Sequence, residues 1–301
     1  MKKIVLTIIA LFLLEAGLLA QNYALDFDGT NDYVSTPIDA DRQAMPSTTW
    51  SGWIKPTGVS GWQMIFDMED GSWDRFLAIE AGNLGLSMGH TSNRWQTGLS
   101  VTVGVWQHVV AVYDNGAMRF YYNGTEYTTG LTEGDHSSAG TLTIGGNQNG
   151  SGNFYTGIID EVAVWNEALT AAEITALYNS GSGLDAASNS GAYTSSSNLV
   201  GYYKMDDGTG NTTIDASGNT NTATLNNMDS STDWVTGYAI QDNTAPTGSL
   251  AYSVSATAVS SVSENDVVTI TATFNENIAD SPVVQISGSG VETISATNMT
   301  K

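Results

Sequence analysis

Between Tyr23 and Trp165 the chain repeats one pattern: short β-branched and aromatic runs, each closed by Gly, Asn or Asp. Examples are Trp50 to Ile54, Phe76 to Glu80, Trp106 to Tyr113, Met118 to Tyr122 and Ile158 to Trp165. That rhythm dictates many short strands joined by tight turns. Asp114-Asn115-Gly116 and Asn123-Gly124 tolerate positive φ, so Trp106 to Thr128 reads as an antiparallel meander. Both alternating faces of Trp106 to Tyr113 are largely apolar, which predicts a central strand covered on each side, the second layer of a sandwich being the expected cover.

One helix interrupts the strands. Thr170 and Glu173 have capping-box spacing, and Ile174, Leu177 and Tyr178 give a short apolar face that stops before Asn179-Ser180-Gly181. The helix is expected against one end of the sandwich. Ser180 to Asn198 reads as a flexible Ser/Gly/Asn/Ala-rich connection, followed by an aromatic run from Leu199 to Met205 and turn-rich sequence ending near Trp234. Beyond Pro246, Val267 to Phe274 alternates with period two and Val283 to Ile286 follows Pro282. The last stretch, about 58 residues, is too short to close an immunoglobulin-like sandwich of about seven strands.

The chain carries 31 Asp and Glu against 9 Lys and Arg, a net charge of −22, with no Cys. Phosphate backbones and anionic lipid draw on clustered Lys and Arg, so nucleic acid is excluded as a partner. With 8 Trp, 13 Tyr and 7 Phe, the acidity is not that of a disordered tail. Lys2 and Lys3 precede an apolar run from Ile4 to Leu14, and Leu18-Leu19-Ala20 ends in a small residue, the layout of a secretory signal. A run of about 11 apolar residues is too short for a transmembrane anchor.

Five pieces then occur in order: Ala24 to Val34 around Phe27-Asp28-Gly29, Trp53-Ile54-Lys55-Pro56, Trp106-Gln107-His108-Val109-Val110, Tyr122-Asn123-Gly124, and Gly157-Ile158-Ile159-Asp160-Glu161-Val162 with Ala168-Leu169 and Glu173-Ile174. Together they resemble the LamG-like (laminin G-like) jelly-roll domains of the concanavalin A-like lectin/glucanase superfamily. The fold implied is all-β, an antiparallel two-sheet jelly-roll sandwich with one short helix, plus a partial Ig-like β-sandwich. The expected organisation is a signal peptide at 1–20, the LamG-like sandwich at 21–180, a connection and strand pair completing it at 181–243, and the truncated start of an Ig-like domain at 244–301. The function implied is that of a secreted or cell-surface module that binds polysaccharide or a glycoprotein surface without cutting it. A targeting module of a larger secreted glycoside hydrolase and a structural adhesin spacer are the alternatives.

Three kinds of site are legible. Asp28-Gly29-Thr30-Asn31-Asp32 offers the oxygen ligands that calcium takes, from Asp28, the Gly29 carbonyl and Asn31. The resemblance implies that such a calcium ties this loop to Asp160; turn capping by Asp28 and Asn31 is the plainer reading. For sugar contact, Trp62, Trp73 and Trp95 lie in Gly-, Ser- and Asp-rich surroundings with Arg75 and Arg94, whereas Trp53, Trp106 and Trp165 are expected in packing. Catalysis lacks its parts. Asp67-Met68-Glu69 is followed by Ser72 where a further carboxylate would be needed, and Gly85-Leu86-Ser87-Met88-Gly89 alternates as a strand although it fits a nucleophile-elbow pattern.

Overall fold

The structure, a computed structural model, describes residues 22–68, 75–88, 95–132, 140–238 and 240, with short strand segments between 248 and 298. The described residues fall into two compact units, one of residues 22–240 and the other of the strand segments between 248 and 298. In the larger unit the strands are β1 (Tyr23–Asp28), β2 (Tyr33–Ser35), β3 (Ser47–Pro56), β4 (Trp62–Met68), β5 (Arg75–Glu80), β6 (Asn83–Met88), β7 (Trp95–Ser100) and β8 (Gln107–Asp114). They continue with β9 (Ala117–Tyr122), β10 (Thr125–Thr132), β11 (Thr143–Ile144), β12 (Thr156–Trp165), β13 (Leu199–Tyr203), β14 (Thr212–Thr213), β15 (Ala223–Asn226) and β16 (Trp234–Thr236), and the helix α1 spans Ala171–Tyr178.

They form two eight-stranded antiparallel sheets. The first runs β10-β9-β8-β3-β12-β1-β16, with β13 also paired to β12; the second runs β14-β15-β2-β11-β4-β5-β6-β7. The alternation written in the sequence decides which side chains meet between them. In the second sheet Leu225, Val34, Ile144, Phe66 and Leu77 lie in one cross-strand row, and all five are in the main core with Trp50, Ile54 and Tyr113 of the first sheet. Burial of this apolar surface, at about 25 cal/mol per Å², is the driving term for the fold.

Residues 199–236 complete both sheets. β13 pairs with β12, β15 with β2, and β16 with β1, and Tyr203, Ala223, Leu225 and Trp234 enter the same core.

Two expectations need correcting. The outer face of β8 is covered by α1 and the segment after it rather than by a second sheet, since Val110 and Val112 pack with Ile174, Leu177, Leu184 and Tyr193. The segment read as a flexible connection is therefore part of the fold. Its Thr194 and Ser195 hydroxyls donate to Glu173 Oε1 at 3.2 and 2.6 Å, while Glu173 Oε2 accepts from the Thr170 backbone and hydroxyl at 3.0 and 2.9 Å. One carboxylate thus caps the helix and pins the chain that leaves it.

The first sheet also has a break in register that matters below. Asp160 opposes Trp53 and Ala163 opposes Ser51, so Glu161 and Val162 share the single partner Gly52. Glu161 takes a left-handed φ of 53°, uncommon for a residue with a side chain. A Cβ on Gly52 would come within 2.9 Å of the Phe66 ring, so the strand facing the bulge has no room for any other residue. This β-bulge turns Glu161 to the outer face beside Asp160, where simple alternation would have sent it inward.

The smaller unit contains a three-stranded antiparallel sheet, Thr257–Ala258, Gly248–Val254 and Val268–Phe274, and a paired Val283–Val284 and Thr297–Asn298. Among the described residues of the chain, no helix is long and apolar enough to cross a membrane.

Candidate functional site

The outer face of the second sheet is built by the same alternation that fills the core. One residue beyond the apolar row runs a polar one: Thr212, Thr224, Ser35, Thr143 and Asp67 are paired strand to strand across β14, β15, β2, β11 and β4. The row is open at its β14 and β15 end, where Thr212 and Thr224 are exposed and Ser35 is half-buried, and it becomes buried at Thr143 and Asp67. Asn226 donates to Ser35 Oγ at 3.0 Å, and next to it Tyr33 stands half-buried in register.

The loop from Gly145 to Phe154 borders this face. Gln148 donates its backbone N–H to Asp67 Oδ2 at 2.7 Å, and Met64 N donates to Asn153 O at 2.8 Å. A Cβ on Gly146 would touch the Phe154 ring and the Tyr33 Cβ, so the two side chains converge on one glycine. Further along the sheet Trp62 packs edge-on against Phe76 at 5.8 Å, beside Met64 and Ala78. The face therefore combines open hydroxyl and carboxamide groups with half-buried aromatic rings, which suits a ligand that is polar at its edges and apolar on its faces.

The expected sugar-contact residues scatter. Trp62 lies on this face, and Trp95 opens β7, where its backbone pairs with Leu86. Arg75 is a correction: its side chain is fully buried, donates to the carbonyls of Ala40 and Met45 at 2.7 and 2.8 Å, and lies 4.6 Å from the Tyr113 ring centre. It holds the β2–β3 loop to the core and is not available to a ligand. Trp73 and Arg94 lie outside the described residues. Ser87 sits within β6 opposite Phe76, in a strand and not at a strand-to-helix turn.

The expected calcium ligands do not assemble either. Asp28 pairs with Thr156, whereas Asp160 lies four positions further along β12, about 13 Å at the rise of a strand. Asp28 Oδ1 accepts from Thr30 N at 2.6 Å and Asn31 N at 3.4 Å, and the Asn31 carbonyl accepts from Asn227, which is the turn-capping pattern. Asp160 accepts from the backbones of Glu161 and Tyr238 at 2.9 and 2.6 Å. Among the described residues no three acidic or histidine side chains group as a metal ion would require. Burial, with Asp28 and Asp233 adding like charge, raises the Asp32 carboxyl to about 6.

A second concentration of polar groups lies under α1, on the outer face of the first sheet. Ser51 and His108 Nε2 are 2.7 Å apart, Tyr202 donates its hydroxyl to Glu161, and these side chains line a small cavity with Trp53 and Trp165. Burial pushes His108 down to about 3, so its ring is neutral, and its Nδ1 has no partner. Burial likewise pushes Glu161 up to about 8 and Asp160 well above the carboxylate range. The cavity has about 10 Å³ of space for the centre of a water molecule, roughly one water. It fits no sugar, and its groups are part of the protein's interior.

Two antiparallel sheets packed face to face, with a polar outer face and an ordered loop along it, define a lectin-type jelly-roll sandwich. Residues 28–175 match the Laminin_G_3 family of the concanavalin A-like lectin/glucanases superfamily. The match ends inside α1, before the strands that complete both sheets. Among solved structures the chain is similar to a protein of Bacteroides ovatus provisionally assigned as carbohydrate binding, with 22% identity over 68% of this chain and 58% of that one and a TM-score of 0.51. The chain thus spans under two thirds of that protein's length. It also resembles a SAP-like pentraxin of Limulus polyphemus, with 24% identity over 53% of this chain and 82% of that one and a TM-score of 0.41. A third similar structure is domain 4 of AbnA, a GH43 extracellular arabinanase of Geobacillus stearothermophilus in complex with arabinotriose, with 22% identity over 51% and 75% of the two chains and a TM-score of 0.41. No curated protein matches the chain at a significant level.

Proposed function

We propose that the protein is an exported carbohydrate-binding module that holds a glycan without cleaving it, and that the glycan lies on the outer face of the second sheet. The observation that carries this is the open row of Thr212, Thr224 and Ser35 with Asn226, set beside the half-buried ring of Tyr33. Sugar hydroxyls find donors and acceptors along the row, and a pyranose face finds the ring. The assignment of the Bacteroides ovatus protein points the same way. Export rests on the basic and apolar leader of the sequence. A calcium brace through Asp28, Gly29, Asn31 and Asp160 forms no part of this reading, because Asp160 lies apart from the turn that holds the other three.

A glycan array of the full chain tests it, followed by titration of the best ligand against Thr224→Tyr, which fills the open row, and Tyr33→Ala. Binding is expected in the wild type and at least about tenfold weaker in both variants. Retention of full affinity by both variants would move the site elsewhere, and no bound glycan at millimolar concentration would end the proposal.

A further inference from the structure

The loop between β7 and β8 runs against turn chemistry. Val103 and Val105 are 50% and 51% exposed where solvated polar residues are the norm, and Trp106 follows them half-buried. The loop is nonetheless tightly built. The buried Gln107 carboxamide accepts from Thr102 N and donates to the carbonyls of Thr102 and Val105, each at 2.9 Å. Gly104, with φ of 75°, donates to Pro56 O at 2.7 Å. The Trp106 ring is held edge-on by Tyr238 at 5.5 Å, and Tyr238 is itself stacked on Trp53 at 3.8 Å. An apolar display fixed in place before any ligand arrives marks a contact surface, since little ordering is left for binding to oppose.

Charge indicates what the surface meets. The chain has only nine Lys and Arg, and most of the described ones are committed inside it. Arg75 holds two carbonyls, Arg119 donates to Tyr121 and to the Leu169 carbonyl, and Lys204 pairs with Asp185 at 2.6 Å. Lys55 differs. Its ammonium stands 6.0 Å over the Trp106 ring, and among the described residues no carboxylate pairs with it. A cation over one side of a fixed aromatic ring, with two exposed valines beside it, is complementary to a sugar ring that carries a carboxylate.

We propose that Lys55, Trp106, Val103 and Val105 form a second carbohydrate contact, separate from the outer face of the second sheet, that takes uronate-bearing polysaccharide. The sugar face rests on Trp106 and the valines, and the uronate carboxylate meets Lys55. The rest of the molecule gives this contact an unusual salt signature. A net charge of −22 repels a polyanion at long range, while the Lys55 contact acts at close range. Salt of about 0.1 M screens beyond about 10 Å, so it removes the repulsion before it weakens the contact.

The test is affinity electrophoresis of the full chain through gels containing polygalacturonate or alginate, with a neutral polysaccharide gel in parallel, at about 10 and 100 mM salt. Retardation by the polyuronate is expected, stronger at the higher salt. Lys55→Gln should weaken it about tenfold, Lys55→Arg should keep it, and Trp106→Phe should weaken it with an unchanged melting temperature. Binding of neutral glycans should be the same in all three variants, and loss of that binding in Thr224→Tyr alone reports on the other face. An unretarded wild type, or a Lys55→Gln variant retarded as strongly as the wild type, would overturn the proposal.

Discussion

Glu161 shows how far one residue's surroundings can depart from its type. The bulge places it beside Asp160 on the outer face of the first sheet, under α1, and burial raises its carboxyl from 4.5 to about 8 while Tyr202 donates to it. A carboxyl raised in the folded state favours folding while it stays protonated. Below about pH 4.5 the folded and unfolded chains both hold the proton, and between there and about pH 8 only the folded chain does, so stability falls as pH rises through this window. The melting temperature is therefore expected to drop between pH 5 and pH 8. Glu161→Gln keeps an acceptor for Tyr202 without the charge, and should flatten the profile and melt roughly 5 °C above the wild type above pH 8. Parallel profiles for the two proteins in a pH series of thermal melts would show that Glu161 is not the group responsible. Nothing in the local sequence announces this environment: Asp160-Glu161 reads as two polar residues on a strand, and the side each takes depends on a bulge set by Gly52 and Phe66, more than 90 residues earlier. Arg75 was obscure for a related reason, since its acceptors are carbonyls of a distant loop.

Among the elements, α1 was legible because its signals are local. Thr170 and Glu173 form the capping box that their spacing announces, and Ile174 and Leu177 are buried as the apolar face requires. The position of the helix was not legible, because any apolar patch of the sandwich could have received it. The following segment was misread for its composition: Ser and Gly suggested slack, but Tyr193 donates to Ala186 O at 2.7 Å and accepts from Trp165 Nε1 at 3.0 Å, and Glu173 gathers Thr194 and Ser195. Since Glu173 serves both the cap and this segment, Glu173→Ala should cost more than loss of the cap alone. Thr170→Ala is expected to lower stability by about 1 kcal/mol and Glu173→Ala by roughly 2 to 3 kcal/mol, the excess coming mainly from the buried Ser195 hydroxyl left without its acceptor. Denaturant melts of the two variants decide this, and equal losses would mean that the segment is held by its apolar contacts. The polar row of the second sheet was readable in part. Tyr33-Val34-Ser35 and Ala223-Thr224-Leu225-Asn226 alternate plainly, but their adjacency depends on a pairing between strands 189 residues apart.

The molecule as a whole corrects the boundary that the family match suggests. Strands from both ends of the larger unit close it: β16 lies on β1, β15 on β2 and β13 on β12. A chain ending at residue 180 would lose Tyr203, Met205, Ala223, Leu225 and Trp234 from the core and bare the edges of β1 and β2. Such a fragment is expected to aggregate or melt without cooperativity, whereas residues 22–240 should unfold in one transition; a cooperative melt of the shorter fragment would show that the late strands are ornaments. The same closure has a consequence for timing. Leu25 finds its partner Trp234 about 210 residues later, and its other neighbour Ile159 about 130 residues later. During synthesis the first strand therefore waits, unpaired at its outer edge, until almost the entire unit has left the ribosome. Under the export proposed above, that wait would keep the chain pliable while it is threaded through a membrane.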